Sequence, residues 1–184
     1  MTTPAAFELA QVNISRLKAP LDSPQLKAFV DALDPVNADA EAADGYVWRL
    51  QSNSGDATDF RVFDDDWLII NLTVWRDPNA LTAFMYQGHH REMLSRRNEW
   101  FERVAEVMTA LWWVPAGHRP TIAEAEARLL HLRANGPTPH AFTLRKSFPA
   151  GSDAGSDSGS DAAAVSGAVE PVAGEVPEGL GCPA

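Results

Sequence analysis

Every aromatic residue of this 184-residue chain, six Trp, two Tyr and eight Phe, lies before position 150. A packed core draws heavily on such side chains, so the fold has to be built within residues 1–149. The remaining stretch, 150–184, reads AGSDAGSDSGSDAAAVSGAVEPVAGEVPEGLGCPA and contains neither Lys nor Arg. It cannot bury enough apolar surface to offset the entropy of ordering it, which predicts a disordered acidic tail. Six of the 25 acidic residues fall there (Asp153, Asp157, Asp161, Glu170, Glu175, Glu178), so the net charge of −10 reduces to −4 for residues 1–149. The Gly-Ser-Asp repeat lacks the bidentate Glu that an EF-hand loop requires at a fixed offset. One domain, 1–149, followed by a tail, 150–184, is the expected organisation.

The negative balance argues against non-specific nucleic-acid binding, which rests on Lys and Arg neutralising phosphates. The longest apolar runs, 68–70 and 110–114, fall far short of the roughly 20 residues that cross a bilayer, so no membrane partner is expected. The opening MTTP carries no basic run followed by an apolar stretch, and the single Cys182 cannot form an internal disulfide. These features lead to the expectation of a cytoplasmic protein. No G-x-G-x-x-G, P-loop, G-x-S-x-G or H-E-x-x-H pattern occurs. The usual marks of dinucleotide, nucleotide, serine-hydrolase and zinc-protease chemistry are therefore missing.

Alternation in 7–17 (FELAQVNISRL) places Ala10, Val12 and Ile14 on one strand face and Leu9, Gln11, Asn13 and Ser15 on the other. Ser23-Pro24 then opens a helix that carries Leu26, Phe29, Val30 and Leu33 and stops at Asp34-Pro35, with a second short helical piece through 38–43. Strands follow at 46–51 and at 66–75 (DWLIINLTVW), separated by a polar loop at 52–59. Asp77-Pro78 caps a helix through Tyr86, Gly88 interrupts it, and an amphipathic run continues over 89–108. A short strand at 111–114 ends at Pro115. Thr121 and Glu124 then form a capping box for a helix that ends at Asn135-Gly136-Pro137, and an extended piece at 142–148 closes the domain. The order predicts an α+β fold of the split βαββαβ, ferredoxin-like kind, with an antiparallel sheet, helices on one face and an added C-terminal helix and strand.

Such a sheet leaves one face bare. The apolar set Leu68, Ile70, Leu72 and Val74 is expected to face the helices, which leaves Trp67, Ile69, Asn71, Thr73 and Trp75 on the open side with Gln11 and Asn13. Arg49 joins that side if Tyr46, Trp48 and Leu50 face the helices, and Trp113 lines it from the last strand. Apolar walls with a few converging amides, one guanidinium and one indole describe a small-molecule pocket. Two copies joined face to face would enclose it, so a homodimer is expected.

The run Thr73-Val74-Trp75, Asp77-Pro78, Ala80-Leu81, Phe84, Gly88-His89-His90 resembles the strand-to-helix signature of the dimeric alpha-beta barrel proteins, among them the antibiotic biosynthesis monooxygenases and the haem-degrading monooxygenases. The stretches LAQVNISRLKAPLDSPQL, GYVWRLQ, LTVWRD, RRNEWFERV and LWWVPAGHRPTIAEAEARLLHLRANGPTPHAFTLRKSFP resemble, more closely, the bacterial family called domain of unknown function 3291, across residues 7–149. The superfamily resemblance implies an enzyme of monooxygenase-like or cyclase-like type that acts on an aromatic or polyketide-like metabolite without a dedicated cofactor. By position it gives Asn13 the task of activating an electron-rich phenol, with Trp67 or Trp75 beside it. The haem-degrading branch implies the alternative of haem on a helix histidine, for which His89 and His90 are the candidates, although the branch's ligand sits further along its helix. A non-catalytic dimeric ligand-binding protein is the third reading.

His89 and His90 are consecutive, so their side chains point about 100° apart on a helix and cannot both face one site. One of them serves a pocket as proton acceptor or ligand, or both are helix-start residues that serve packing and solvation. His118, His131 and His140 have no Cys partner and no H-x-x-x-H spacing, so no structural metal is expected. The candidate catalytic set is thus Asn13, His89 and His90, and the candidate binding set is Gln11, Arg49, Trp67, Asn71, Thr73, Trp75 and Trp113.

Overall fold

A computed structural model describes residues 6–153, apart from residue 54. The tail expected over 150–184 falls outside the described residues from position 154 onward. Its first residues form a turn after Phe148, closed by Ser152 N–H on the Pro149 carbonyl.

Four antiparallel strands make one sheet: β1 (Phe7–Arg16), β2 (Tyr46–Arg49), β3 (Leu68–Trp75) and β4 (Thr109–Pro115), in the order β2-β3-β1-β4. The helices among the described residues are α1 (Lys27–Asp31), α2 (Leu33–Ala42), α3 (Pro78–Met85), α4 (Gly88–Trp100) and α5 (Ile122–Asn135). With β1 and β3 central and the two halves related as βαβ units, this is the ferredoxin-like arrangement.

Register fixes the two faces. β1 pairs with β3 so that Gln11 faces Thr73 and Asn13 faces Asn71, and with β4 so that Gln11 faces Leu111 and Asn13 faces Thr109. The odd-numbered residues of all three strands therefore share one face. That face packs against α1–α4: Leu9, Trp75 and Leu111 cluster with Ala40, Ala80 and Leu81, while Ile69 lies against Leu26, Phe29, Met93 and Trp100. The even face, with Ala10, Val12, Ile14, Ile70, Leu72 and Val74, is covered by Ala125, Leu129 and Leu132 of α5 and by the loop side chains Ala57, Phe60, Val62 and Phe63. The expected orientation is thus reversed, since α1–α4 sit over the polar odd face and not over the Leu68–Val74 set. Strand alternation separates two faces but does not say which helices cover each, and here the C-terminal helix takes the apolar one. The even face is thus covered within the chain by α5 and the loop, while on the odd face Asn71 stays exposed between the helices.

Local boundaries also differ from the pattern. Pro35 does not stop a helix; it lies in the first turn of α2, where an amide hydrogen would have no helical acceptor in any case. The long helix expected over 89–108 ends at Trp100. Lys18 N–H binds the Trp100 carbonyl and Glu102 N–H binds the Arg16 carbonyl, drawing the chain into extended contact with the end of β1. β2 carries a bulge between Tyr46 and Trp48, so Tyr46 and Arg49 join the odd face beside Trp75 and Thr73, while Trp48 and Leu50 pack on the even side. The last extended piece is reduced to one bridge to the sheet. Phe142 exchanges both backbone bonds with Leu111 at 2.8 and 2.9 Å, and a turn at Thr143–Lys146 ends the pairing.

Candidate functional site

Between the odd sheet face and the helices lie two adjoining cavities, of about 780 and 220 Å³, which share Asn13, Asn71, His90, Leu94 and Thr109 as lining. The smaller one is floored by Gln11, Asn13, Asn71, Thr73 and Thr109 and walled by Trp75, Leu81, Phe84 and His90. Of these, Gln11 and Thr73 are buried, Asn13 and Thr109 half-buried and Asn71 exposed, and the buried groups are costly unless hydrogen bonds answer them. Trp75 donates its indole N–H to Thr73 Oγ1 at 2.9 Å, and Thr73 donates its hydroxyl to Gln11 Oε1 at 2.9 Å. Asn13 donates Nδ2–H to Thr109 Oγ1 at 2.7 Å. Asn71 has no side-chain partner among the described residues.

The aromatic wall is a continuous run. Trp75 stacks on Phe84 with ring centres 5.0 Å apart, and Phe84 lies 4.7 Å from the His90 ring. His90 Nδ1 is 3.0 Å from the Met85 carbonyl, which can only accept, so Nδ1 carries the proton and Nε2 presents a lone pair. Burial of His90 lowers its pKa below the ordinary 6.5, against the opposing pull of the Met85 carbonyl, and favours the neutral ring. The consecutive His89 turns outward, with N–H and Nδ1 both on Asp39 of α2 at 3.2 and 2.8 Å. That contact pins the start of α4 and sets the rotation that sends His90 inward. Gly88 makes it feasible: its φ is +51°, and a Cβ there would meet Asp39 Oδ2 at 2.7 Å.

Of the residues predicted from sequence, Gln11, Asn13, Asn71, Thr73, Trp75 and His90 come together at one compartment. Arg49 lines the larger cavity with its side chain 10% exposed, held by Glu41 at 2.8 Å and the Gly55 carbonyl at 2.8 Å. His89, Trp67 and Trp113 are not part of the lining. Trp67 is 45% exposed just before β3, and Trp113 donates its indole N–H to the Phe148 carbonyl at 2.7 Å, beside Phe142. Thr109, Met85 and the wall role of Phe84 were missed. Thr109 continues the alternation of Leu111 and Trp113 backwards, a signal hidden by extending the helix to Met108. Among the described residues, no group of three or more His, Cys, Asp or Glu is placed to hold a metal ion, and no helix is long and apolar enough to cross a membrane.

An antiparallel sheet in this order, with a polar-floored cavity between it and its helices, defines an α+β protein of ferredoxin-like fold. The chain belongs to the family described as Domain of unknown function (DUF3291), which matches residues 8–157. None of the curated proteins matches this sequence. Solved structures similar to it include a conserved protein from Methanosarcina mazei Go1, with TM-score 0.43 and 11% identity over 60% of this chain and 93% of that one. PA3566 from Pseudomonas aeruginosa has TM-score 0.42 and 15% identity over 65% of this chain and 100% of its own. SnoaB, a cofactor-independent oxygenase from Streptomyces nogalater, has TM-score 0.41 and 17% identity over 63% of this chain and 97% of its own.

Proposed function

We propose that this protein is a small-molecule enzyme of monooxygenase-like or cyclase-like type, acting on an aromatic or polyketide-like metabolite held between the sheet and helices α3 and α4. One observation carries this reading: a neutral imidazole, His90, fixed through Nδ1 and free at Nε2, shares a compartment with the amides of Gln11, Asn13 and Asn71. A base so placed removes a proton from a phenol or an activated methylene, and the Trp75–Phe84 wall suits a planar ring. For an oxygenase-type step, a methylene between aryl groups and one O₂ give a carbonyl and one water, with the substrate supplying all four electrons. For a cyclisation, the same proton removal leaves an enolate that attacks a carbonyl of the same molecule. Asn13, whose Nδ2–H goes to Thr109 and whose Oδ1 accepts from Ser15 Oγ at 3.4 Å, keeps a second lone pair on Oδ1 that orients a substrate hydroxyl.

The test is turnover of a panel of hydroxyaryl ketones and anthrones, followed by oxygen uptake and product analysis. His90→Ala and Asn13→Ala are expected to lose about a hundredfold or more, while His89→Ala, which loses the Nδ1 contact to Asp39 but keeps the backbone N–H there, is expected to lose far less. Unchanged turnover in His90→Ala overturns the assignment. Ligand bound but recovered unchanged, without oxygen uptake, establishes the binding-protein reading instead.

Haem is a second reading with one observation in its favour. A neutral histidine whose Nδ1–H is held by a carbonyl is the form that ligates iron through Nε2, and His90 has it. His90 would be the ligand, and the haem would supply the O₂ chemistry. A Soret band on adding haem, lost in His90→Ala and kept in His89→Ala, would establish it; a spectrum unaltered by haem discards it.

A further inference from the structure

Gln11 is nine-tenths buried at the centre of β1, and the orientation of its carboxamide is dictated by its neighbours. The Trp75 indole nitrogen can only donate, and it donates to Thr73 Oγ1 at 2.9 Å. The Thr73 hydroxyl is left with one proton, which goes to Gln11 Oε1 at 2.9 Å. With the carboxamide reversed, the amide would donate to Thr73 and the hydroxyl proton would have no acceptor among the described residues, a costly state for a buried group. The relay therefore engages the Gln11 carbonyl and leaves its NH₂ over. That NH₂ has no partner among the described residues, yet the one fully buried side-chain atom found without a partner there is Trp112 Nε1. Gln11 Nε2 is thus reached from the 220 Å³ compartment that Gln11 and His90 both line.

We propose that Gln11 is the oxyanion donor of this site, its NH₂ held toward the ligand by the Trp75–Thr73 relay, and that the ligand is a hydroxyaryl ketone. The inference rests on His90 as the base. The polarity of the lining selects the ligand. Gln11 offers donors alone, His90 Nε2 offers a lone pair, and Asn13 offers Oδ1, about 7 Å from Gln11 along the strand. A conjugated carbonyl oxygen meets the first, an acidic ring hydroxyl donates to His90 Nε2, and a second ring hydroxyl donates to Asn13 Oδ1. In the step, the ligand O–H bond breaks, the proton passes to His90 Nε2, and the electron pair spreads through the ring to the carbonyl oxygen. Gln11 binds that oxygen as its charge grows, with a donor already fixed in direction by the relay. Gln11 is a catalytic residue on this account, while Thr73 and Trp75 are positioning residues that act through it.

The experiment uses 1,8-dihydroxyanthraquinone, whose visible band moves to the red when its phenol ionises, bound to the full chain and titrated with acid and base. Wild type is expected to ionise the bound dye at lower pH than the free dye. Thr73→Val, which keeps the shape and removes the hydroxyl, frees the carboxamide to turn and should weaken that ionisation about tenfold. Thr73→Ser restores the relay and the wild-type value. Gln11→Glu puts a negative charge where the donor was and should weaken ionisation further still. Thr73→Val or Gln11→Glu, folded by near-ultraviolet circular dichroism, that ionises the dye as wild type does overturns the proposal. Failure of wild type to bind the dye overturns the ligand class. His90→Ala separates the two readings: if the dye's ionisation is unchanged by that variant but weakened by Thr73→Val, the base assignment fails while the donor assignment stands.

Discussion

Two adjacent histidines with one chemistry meet opposite environments because the α4 helix turns about 100° between them. His89 is exposed on Asp39, whereas His90 lies under Phe84 with its Nδ1 on Met85. Burial depresses the His90 pKa, so in the native state it takes a proton at lower pH than it does when unfolded, where it titrates near 6.5. Two consequences share that sign. As a base, His90 is competent when neutral, so the acid limb of kcat/KM is expected below 6.5, and a limb at or above that value would contradict the burial. For stability, the unfolded chain binds the proton first as pH falls, so the contribution is whole above about 6.5 and is lost below it. Denaturant melts of wild type and His90→Ala across this range should converge as pH drops. Gly88 belongs at the same scale. Gly88→Ala must leave the left-handed region or push against Asp39 Oδ2, which turns the start of α4 and is expected to reduce turnover together with stability, by about 1 kcal/mol or more.

At the scale of elements, the features legible in sequence were those with local causes. Asp77 caps α3 by accepting from Ala80 N–H at 2.9 Å, and Thr121 with Glu124 forms the full capping box of α5. Asp77→Ala and Thr121→Ala should each cost about 1 kcal/mol in a urea melt. Asp77 adds a pH signature. The Ala80 amide and the Arg76 guanidinium hold its carboxyl below the ordinary 3.8, so its stabilisation is present above that value and fades as pH falls through the depressed one. What periodicity missed was decided from far away in the chain. Met93, Leu94, Phe101 and Met108 share a helical period, yet the backbone of 16–18 captures Trp100 and Glu102 and ends α4 there. The bulge in β2 moves Arg49 into line with Thr73, a rotation no alternation within four residues can reveal.

For the whole molecule, the decisive event is that α5 closes the apolar face of the sheet from within the chain. Polar residues on strands announced the cavity because Gln11, Asn13, Asn71 and Thr73 alternate with a fully apolar set. The sequence could not show that the helices would roof that polar face, because the choice depends on where 122–135 packs. Within the chain the odd face is partly roofed by α1–α4, with Gln11, Thr73 and Trp75 buried and Asn71 left exposed. Leu129, wholly buried on α5 against the even face, tests this arrangement. Leu129→Ala should cost about 2–5 kcal/mol through lost burial and the cavity left behind. Melting temperatures of wild type and variant that stay constant over about a hundredfold range of protein concentration show that no second copy adds to this closure, whereas assembly through any surface makes both rise with concentration through mass action. Sedimentation on the same samples reads the second half of the argument. A copy joined through any other surface would leave Leu129→Ala in the assembly state of wild type, while closure of the even face by a partner would make the variant dissociate as it destabilises.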